Sequence, residues 1–116
     1  MSVEMTRARF EELVADALDE IPRQFMAEMS NVVVLVEDIH PDDPNLLGLY
    51  HGVALTSRTS HYGMVLPDRI TIYRLPILRI CRTEDDVVRQ VGITVIHEVG
   101  HHFGIDDETL HELGWG

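Results

Sequence analysis

Two kinds of residue are scarce in this sequence. The chain of 116 residues contains a single cysteine, Cys81, so neither an intramolecular disulfide nor a thiolate zinc cluster is possible. Basic residues are also scarce, because 9 Lys and Arg stand against 20 Asp and Glu and give a formal net charge of −11. A field of that sign repels phosphate backbones, so we expect no nucleic-acid partner.

Long apolar runs are missing as well. The first ten residues have no apolar core of the kind that a signal peptide carries, and no run reaches the length of a membrane span. We therefore expect a cytoplasmic protein that does not associate with membranes. The length fits one hydrophobic core, which predicts a single domain over residues 1–116.

What the sequence does contain is a motif near its C-terminus, H-E-x-x-H, with its polar residues at His97, Glu98 and His101. Positions four apart lie on the same face of an α-helix, so the two imidazoles can bind one zinc ion. Glu98 lies about 100° further round the helix, beside the metal rather than on it. A carboxylate there can take a proton from a water on the zinc, as the general base of zinc peptidases does.

Two further residues extend the motif. Gly104 can adopt the left-handed conformation that ends a helix and reverses the chain. Such a turn can bring Asp107 back to the metal as a third ligand, leaving a fourth position for water. In a chain of this composition the extended pattern is expected by chance only about 2 × 10⁻⁴ times, so it is a specific signal.

The extended motif resembles that of the small bacterial metallopeptidase family of minimal zincin-like domains, whose signature is H-E-x-x-H-x-x-G-x-x-D. Residues 46–53 and 67–73 also resemble that family, so the resemblance covers most of the chain. It implies that His97, His101 and Asp107 bind Zn²⁺ and that Glu98 is the catalytic base. The sequence differs from full metzincins because its third ligand is an aspartate and no methionine follows it.

Periodicity predicts the elements around the motif. Apolar residues at helical spacing follow a possible N-cap at Thr6, and Pro22 can open a second helical turn. Residues 32–36 are predicted to form a strand buried on both faces, residues 47–55 and 69–74 two more strands, and residues 40–45 and 56–63 loops. Residues 75–81 fit either a short helix or an extended connection.

The last long helix is predicted to begin at Thr83 and to carry apolar residues around nearly its whole circumference, so that it is buried between a sheet and other helices. A final short helix would start at Asp106 or Asp107 and pack Leu113 and Trp115 back onto the fold. The predicted fold class is α+β and zincin-like, with a small mixed sheet packed against an N-terminal helix and the C-terminal motif helix.

Four other histidines could lie near the site. His102 points about 100° away from His101, which favours a surface or supporting position over metal binding. His111 is expected to be exposed, although it is the next candidate for a third ligand. His51 and His61 could line a cleft, but lone histidines more often have no function of this kind.

These observations predict a zinc-dependent metallopeptidase that hydrolyses peptide bonds with Glu98 as general base, acting on a peptide or protein substrate. The alternative is a zincin-like domain that binds metal but is catalytically weak or inactive and serves as a binding or regulatory module. The short chain, with little left over beyond its core, keeps that alternative open.

Overall fold

A computed structural model describes residues 3–29, 31–52 and 67–112 of the chain. Its elements in order are helix α1 (Arg7–Asp19), helix α2 (Arg23–Met26), a 3-10 turn (Ala27–Met29), strands β1 (Val32–Glu37), β2 (Gly48–His51) and β3 (Asp68–Tyr73), and helices α3 (Arg74–Ile80), α4 (Glu84–His102) and α5 (Asp107–Glu112).

The three described strands form a mixed sheet in the order β1-β3-β2. The central strand β3 runs parallel to β1, with Val34 opposite Ile70, and antiparallel to β2, with Tyr50 opposite Ile70. Ile70 and Ile72 are fully buried on the face that α4 covers. Helix α1 packs against α4, and its Phe10, Leu13 and Val14 belong to the same hydrophobic core as Ile70 and Ile72. This arrangement confirms the predicted α+β fold.

Helix ends follow the capping residues that the sequence predicts. The Thr6 side chain accepts a hydrogen bond from the Arg9 N–H at the start of α1. Thr83 and Asp86 form a reciprocal capping box at the start of α4, where each side chain accepts from the other residue's backbone N–H. Pro22 stands at the N-cap of α2, as expected.

Helix α4 buries less of its apolar surface than predicted. Its buried stripe consists of Val87, Val91, Val95 and Val99, spaced four residues apart, whereas Val88 is 47% exposed. The prediction of an apolar contact surface around nearly the whole helix was therefore wrong. His97, Glu98 and His101 of the same helix line a cleft.

The prediction that the first strand is buried on both faces was also wrong. Val33 and Leu35 of β1 are exposed, while Val36 on the opposite face is buried, because the helices cover one side of the sheet. At the outer edge of β1 the Arg7 guanidinium donates a hydrogen bond to the Val36 carbonyl. This bond connects helix α1 directly to strand β1.

Residues 75–81 resolve as a helix, α3, in spite of Pro76. The proline lies in the first turn, where a missing N–H costs no intrahelical hydrogen bond, and it is buried. The predicted loop at residues 56–63, the end of the second predicted strand, and Leu113 and Trp115 lie outside the described residues. Among the helices of the described ranges, none has the length and apolar character needed to cross a membrane.

Candidate metal centre

A tight reversal of the chain follows α4. Gly104 has φ 83°, in the left-handed region, and its N–H donates to the His101 carbonyl. The Ile105 N–H donates to the Gly100 carbonyl, which completes a Schellman motif. The Asp106 side chain then accepts from the Thr109 N–H and caps α5. The predicted glycine turn is confirmed, and it places the start of α5 beside the last turns of α4.

Three ligand-type atoms converge at this reversal. The Oδ1 atom of Asp107 lies 3.1 Å from Nε2 of His97 and 2.9 Å from Nε2 of His101. The two imidazole Nε2 atoms are 3.1 Å apart. Ligands of a tetrahedral zinc ion, at bond lengths of about 2.0–2.2 Å, lie about 3.3 Å from one another. The three atoms therefore have nearly the spacing that zinc requires, and on this measure the residues fit the ion.

A hydrogen bond fixes the tautomer of the His101 imidazole. Nδ1 of His101 lies 3.0 Å from the Ile105 carbonyl oxygen, which can only accept, so Nδ1 carries the hydrogen. In the neutral ring Nε2 then presents a lone pair to the Asp107 carboxylate, which also only accepts. Two acceptors can face each other at 2.9 Å only with a proton or a metal ion between them, so the pair has the chemistry of a metal-ligand set.

Glu98 lies beside these atoms but in a different environment. Its residue is 6% exposed, and it receives a hydrogen bond from the Tyr50 backbone N–H. Burial is the largest influence and raises the pKa of the Glu98 carboxyl; Asp107 adds to the rise, while His101, His97 and the Tyr50 N–H oppose it. The result is a carboxylate that holds a proton more readily than an exposed glutamate does.

The converging groups open into a cleft of about 710 Å³. One wall is the edge strand β2, including Gly48 and Tyr50, and the other is formed by α4 and the Gly104 turn. A smaller hollow of about 240 Å³ shares Gly48, His97 and Glu98 with it and continues along α4 towards Gln90. The cleft is therefore an elongated groove between a strand and a helix.

The structure brings His97, Glu98, His101 and Asp107 together, as the sequence predicts. His111 is exposed and does not line the cleft. The side chain of His51 accepts from Arg69 at 2.7 Å and does not line the cleft either. His61 lies outside the described residues.

His102 is not at the surface. It is 1% exposed, and its Nδ1 lies 2.9 Å from Oδ2 of Asp68, which is equally buried. The structure therefore places His102 in a supporting position, and the alternative prediction of a surface position was wrong. Sequence reasoning overlooked Asp68 because an aspartate at the start of a predicted strand carries no signal of a partner 34 residues away.

A motif helix that carries two imidazoles and a carboxylate, set beside the edge strand of a small mixed sheet, is the arrangement of a zincin-like domain. A family model for zincin-like metallopeptidases matches residues 29–115, about three quarters of the chain. The chain belongs to the zincin-like metallopeptidase family, which confirms the resemblance noted in the sequence.

A conserved hypothetical protein from Thermus thermophilus has a similar solved structure. It is 26% identical in sequence, with a TM-score of 0.60 over 94% of this chain and 97% of the other. No curated protein matches the chain. The similarity extends over nearly the whole length of both chains, and the description of the neighbour assigns no activity.

Proposed function

We propose that this protein is a zinc-dependent metallopeptidase. His97, His101 and Asp107 hold the zinc ion, and Glu98 is the general base for hydrolysis of a peptide bond. The observation that carries the proposal is the convergence of three ligand atoms within 3.1 Å of one another beside a buried carboxylate in an open cleft.

Two carboxylates border the imidazoles, and their roles differ. The ligand atoms of His97, Glu98 and His101 all lie within 4.8 Å of one another, so Glu98 is a second possible third ligand. Asp107 is favoured because its Oδ1 approaches both Nε2 atoms to 3.1 Å or less. Glu98 is buried and its carboxylate is engaged by the Tyr50 N–H, which leaves it beside the ligand atoms as a proton carrier.

The raised pKa of Glu98 suits this role. General-base catalysis is most efficient when the pKa of the base approaches the working pH, and burial moves the Glu98 carboxyl in that direction. Zinc, when bound, polarises a carbonyl oxygen and lowers the pKa of water towards about 7. Glu98 accepts the proton of the attacking water at its carboxylate and then donates it to the leaving amine.

Strand β2 supports an extended peptide as the substrate. The Tyr73 N–H donates to the Leu47 carbonyl, so in this antiparallel pair the next residues to bond with β3 are Leu49 and His51. The backbone groups of the intervening Gly48 and Tyr50 consequently turn towards the cleft. The Tyr50 N–H is taken by Glu98, but an extended chain lying along this edge can hydrogen-bond with the Gly48 backbone while it passes the ligand atoms.

The test is the substitution Glu98→Gln. Its amide keeps the size of the side chain but cannot take up the proton, so zinc content should be unchanged while peptide cleavage falls by about 10²–10⁴-fold. Cleavage is read by mass spectrometry on a library of short peptides, and zinc by elemental analysis. Glu112→Gln is the matched control, because Glu112 is an exposed residue of α5 that does not line the cleft.

The metal itself is tested by His97→Ala and Asp107→Ala. The first should abolish stoichiometric zinc, and the second should weaken binding without unfolding the core, because the Asp107 side chain is 80% exposed. A wild-type protein that takes up no zinc after reconstitution would overturn the metal site. Zinc bound without cleavage would leave the domain as a metal-binding interaction module.

A further inference from the structure

Three polar side chains form a hydrogen-bonded cluster at one side of the cleft: Asp68 and His102 are buried, whereas Tyr50 is half-buried and lines the cleft. Asp68, the first residue of β3, is 1% exposed. Its Oδ2 atom accepts a hydrogen bond from the Tyr50 hydroxyl at 2.7 Å and is 2.9 Å from Nδ1 of His102. One oxygen atom thus connects side chains from β2, β3 and α4, the elements that form the walls of the cleft and the core beneath it.

The His102 ring is held by a hydrogen bond to the Asp68 carboxylate. Since the Asp68 carboxylate accepts, Nδ1 of His102 donates. Nε2 is buried and has no hydrogen-bond partner among the described residues. The Tyr50 and Phe103 rings pack against the imidazole in edge-to-face contacts, at centroid distances of 5.8 and 5.3 Å. The orientation of the ring is therefore set by one hydrogen bond and by aromatic packing.

Both side chains that hydrogen-bond with Asp68 are connected to residues of the proposed metal site. His102 is the neighbour of His101 in the last turn of α4. Tyr50 donates its backbone N–H to Glu98 while its hydroxyl donates to Asp68. Asp68 is therefore connected to a ligand residue through helix α4 and to the general base through strand β2.

Gly52 shows how closely β2 approaches this carboxylate. A Cβ atom at Gly52 would lie 2.4 Å from Oδ1 of Asp68, well inside van der Waals contact. The chain directly after β2 therefore leaves no room for a side chain beside the buried oxygen.

We propose that Asp68 is a positioning residue, which holds His102 of α4 and Tyr50 of β2 at the separation that aligns the zinc-binding histidines and keeps the Tyr50 N–H on Glu98. The proposal rests on the function proposed above. Asp68 itself touches neither the substrate nor the ligand atoms. Groups of this kind behind metal sites typically contribute about 10–100-fold to metal affinity or activity.

The direct test is Asp68→Ala, which removes the acceptor of both hydrogen bonds. Zinc affinity, measured by competition with a chelator, should fall by about 10–100-fold, and kcat should fall more than KM changes. The visible absorption bands of the Co²⁺-substituted protein should shift, because the ligand geometry changes. In the metal-free protein the NMR resonance of the Tyr50 amide should lose the downfield shift that its bond to Glu98 produces.

Two milder variants keep the test decisive if Asp68→Ala does not fold. Tyr50→Phe removes only the hydroxyl that Asp68 accepts from, and it should move the same readouts in the same direction by a smaller amount. Asp68→Asn retains an oxygen that can occupy the position of Oδ2 and accept both bonds, so it should restore most of the affinity lost in Asp68→Ala.

Val87→Ala is the matched control for lost stability. Val87 is fully buried in the first turns of the same helix, more than three turns away from His101. It should lower the free energy of unfolding and leave zinc affinity and the Tyr50 resonance unchanged. The proposal is overturned if Asp68→Ala and Tyr50→Phe keep wild-type zinc affinity and an unshifted Tyr50 amide, or if Val87→Ala moves them equally.

Failure of the proposed function can be distinguished from failure of the positioning role. If the wild type cleaves no peptide, the peptidase proposal fails, whereas zinc affinity and the Co²⁺ bands still report on the positioning role. If the wild type binds no metal, the Tyr50 amide of the metal-free protein decides the question.

Discussion

The close approach of β2 to α4 makes Gly48→Ala an informative substitution. A Cβ atom at Gly48 would lie 2.8 Å from the Thr94 methyl carbon, Cγ2, and 3.1 Å from Cγ of Glu98. Alanine in a strand interior gains about 0.5–1 kcal/mol over glycine, but overpacking costs about 1–3 kcal/mol. The free energy of unfolding should therefore fall by about 0.5–2 kcal/mol.

Thr94→Ser identifies the cause of that loss. It removes the methyl group nearest to the new Cβ and keeps the hydroxyl, which accepts a hydrogen bond from Gln90 at 3.2 Å. In the Thr94→Ser background the cost of Gly48→Ala should shrink, giving a favourable coupling energy of about 0.5–2 kcal/mol. The four proteins are compared by urea unfolding. Effects that add to within about 0.3 kcal/mol would refute the argument from this contact.

Three further predictions concern α4 and the turn that follows it. Gly104→Ala places a side chain at φ 83°, so it should lower the free energy of unfolding by about 1–2 kcal/mol and weaken zinc binding. Gly92→Ala should stabilise the helix by about 0.5–1 kcal/mol, because, apart from its chain neighbours and the helix backbone, no atom of the described residues would lie within 4 Å of the new Cβ. Chemical unfolding and chelator competition check both, and a Gly104→Ala protein with wild-type stability and zinc affinity would contradict the role of the turn. The backbone N–H groups of Arg82 and Thr83 hold the pKa of Asp86 below its ordinary value of 3.8, so its ionised form stabilises the fold above that value and the contribution is lost as pH falls through the lowered pKa. The Asp86→Asn variant should therefore be less stable than the wild type near neutral pH, and the difference in the free energy of unfolding should disappear below about pH 4. Unfolding curves recorded over a range of pH measure this difference, and a difference that does not depend on pH would count against this capping box.

Local signals in the sequence were sufficient for the helices and for the ligand turn. The Thr6 and Thr83 caps, the glycine at 104 and the four-residue spacing of the histidines act over one or two turns of chain, and their physics does not depend on distant residues. This is why the convergence of Asp107 with the histidines could be predicted without knowledge of the fold.

Features that depend on distant partners could not be predicted in this way. The β-branched run of β1 has the composition of a strand buried on both faces, but it lies at an edge of the described sheet, and its outer face is left exposed. Likewise, nothing near His102 in the sequence indicates a bond to Asp68. Strand order and buried polar pairs arise from tertiary contacts, and a single sequence does not encode them as a periodic pattern.

The bond between Arg7 and the Val36 carbonyl has a consequence for aggregation. The apolar, uncharged residues Val32–Val36 form the kind of segment on which other chains can template intermolecular β-pairing. The bond from Asp68 N–H to the Asn31 carbonyl places the outward-facing carbonyls of β1 at its even-numbered residues, and Val36 is one of them. The guanidinium that binds the Val36 carbonyl belongs to Arg7 of α1, so this carbonyl is covered only while α1 stays packed against the rest of the protein. Detachment of α1 alone would free the Val36 carbonyl for pairing with another chain, so we expect resistance to aggregation to follow the local opening of α1 rather than global unfolding.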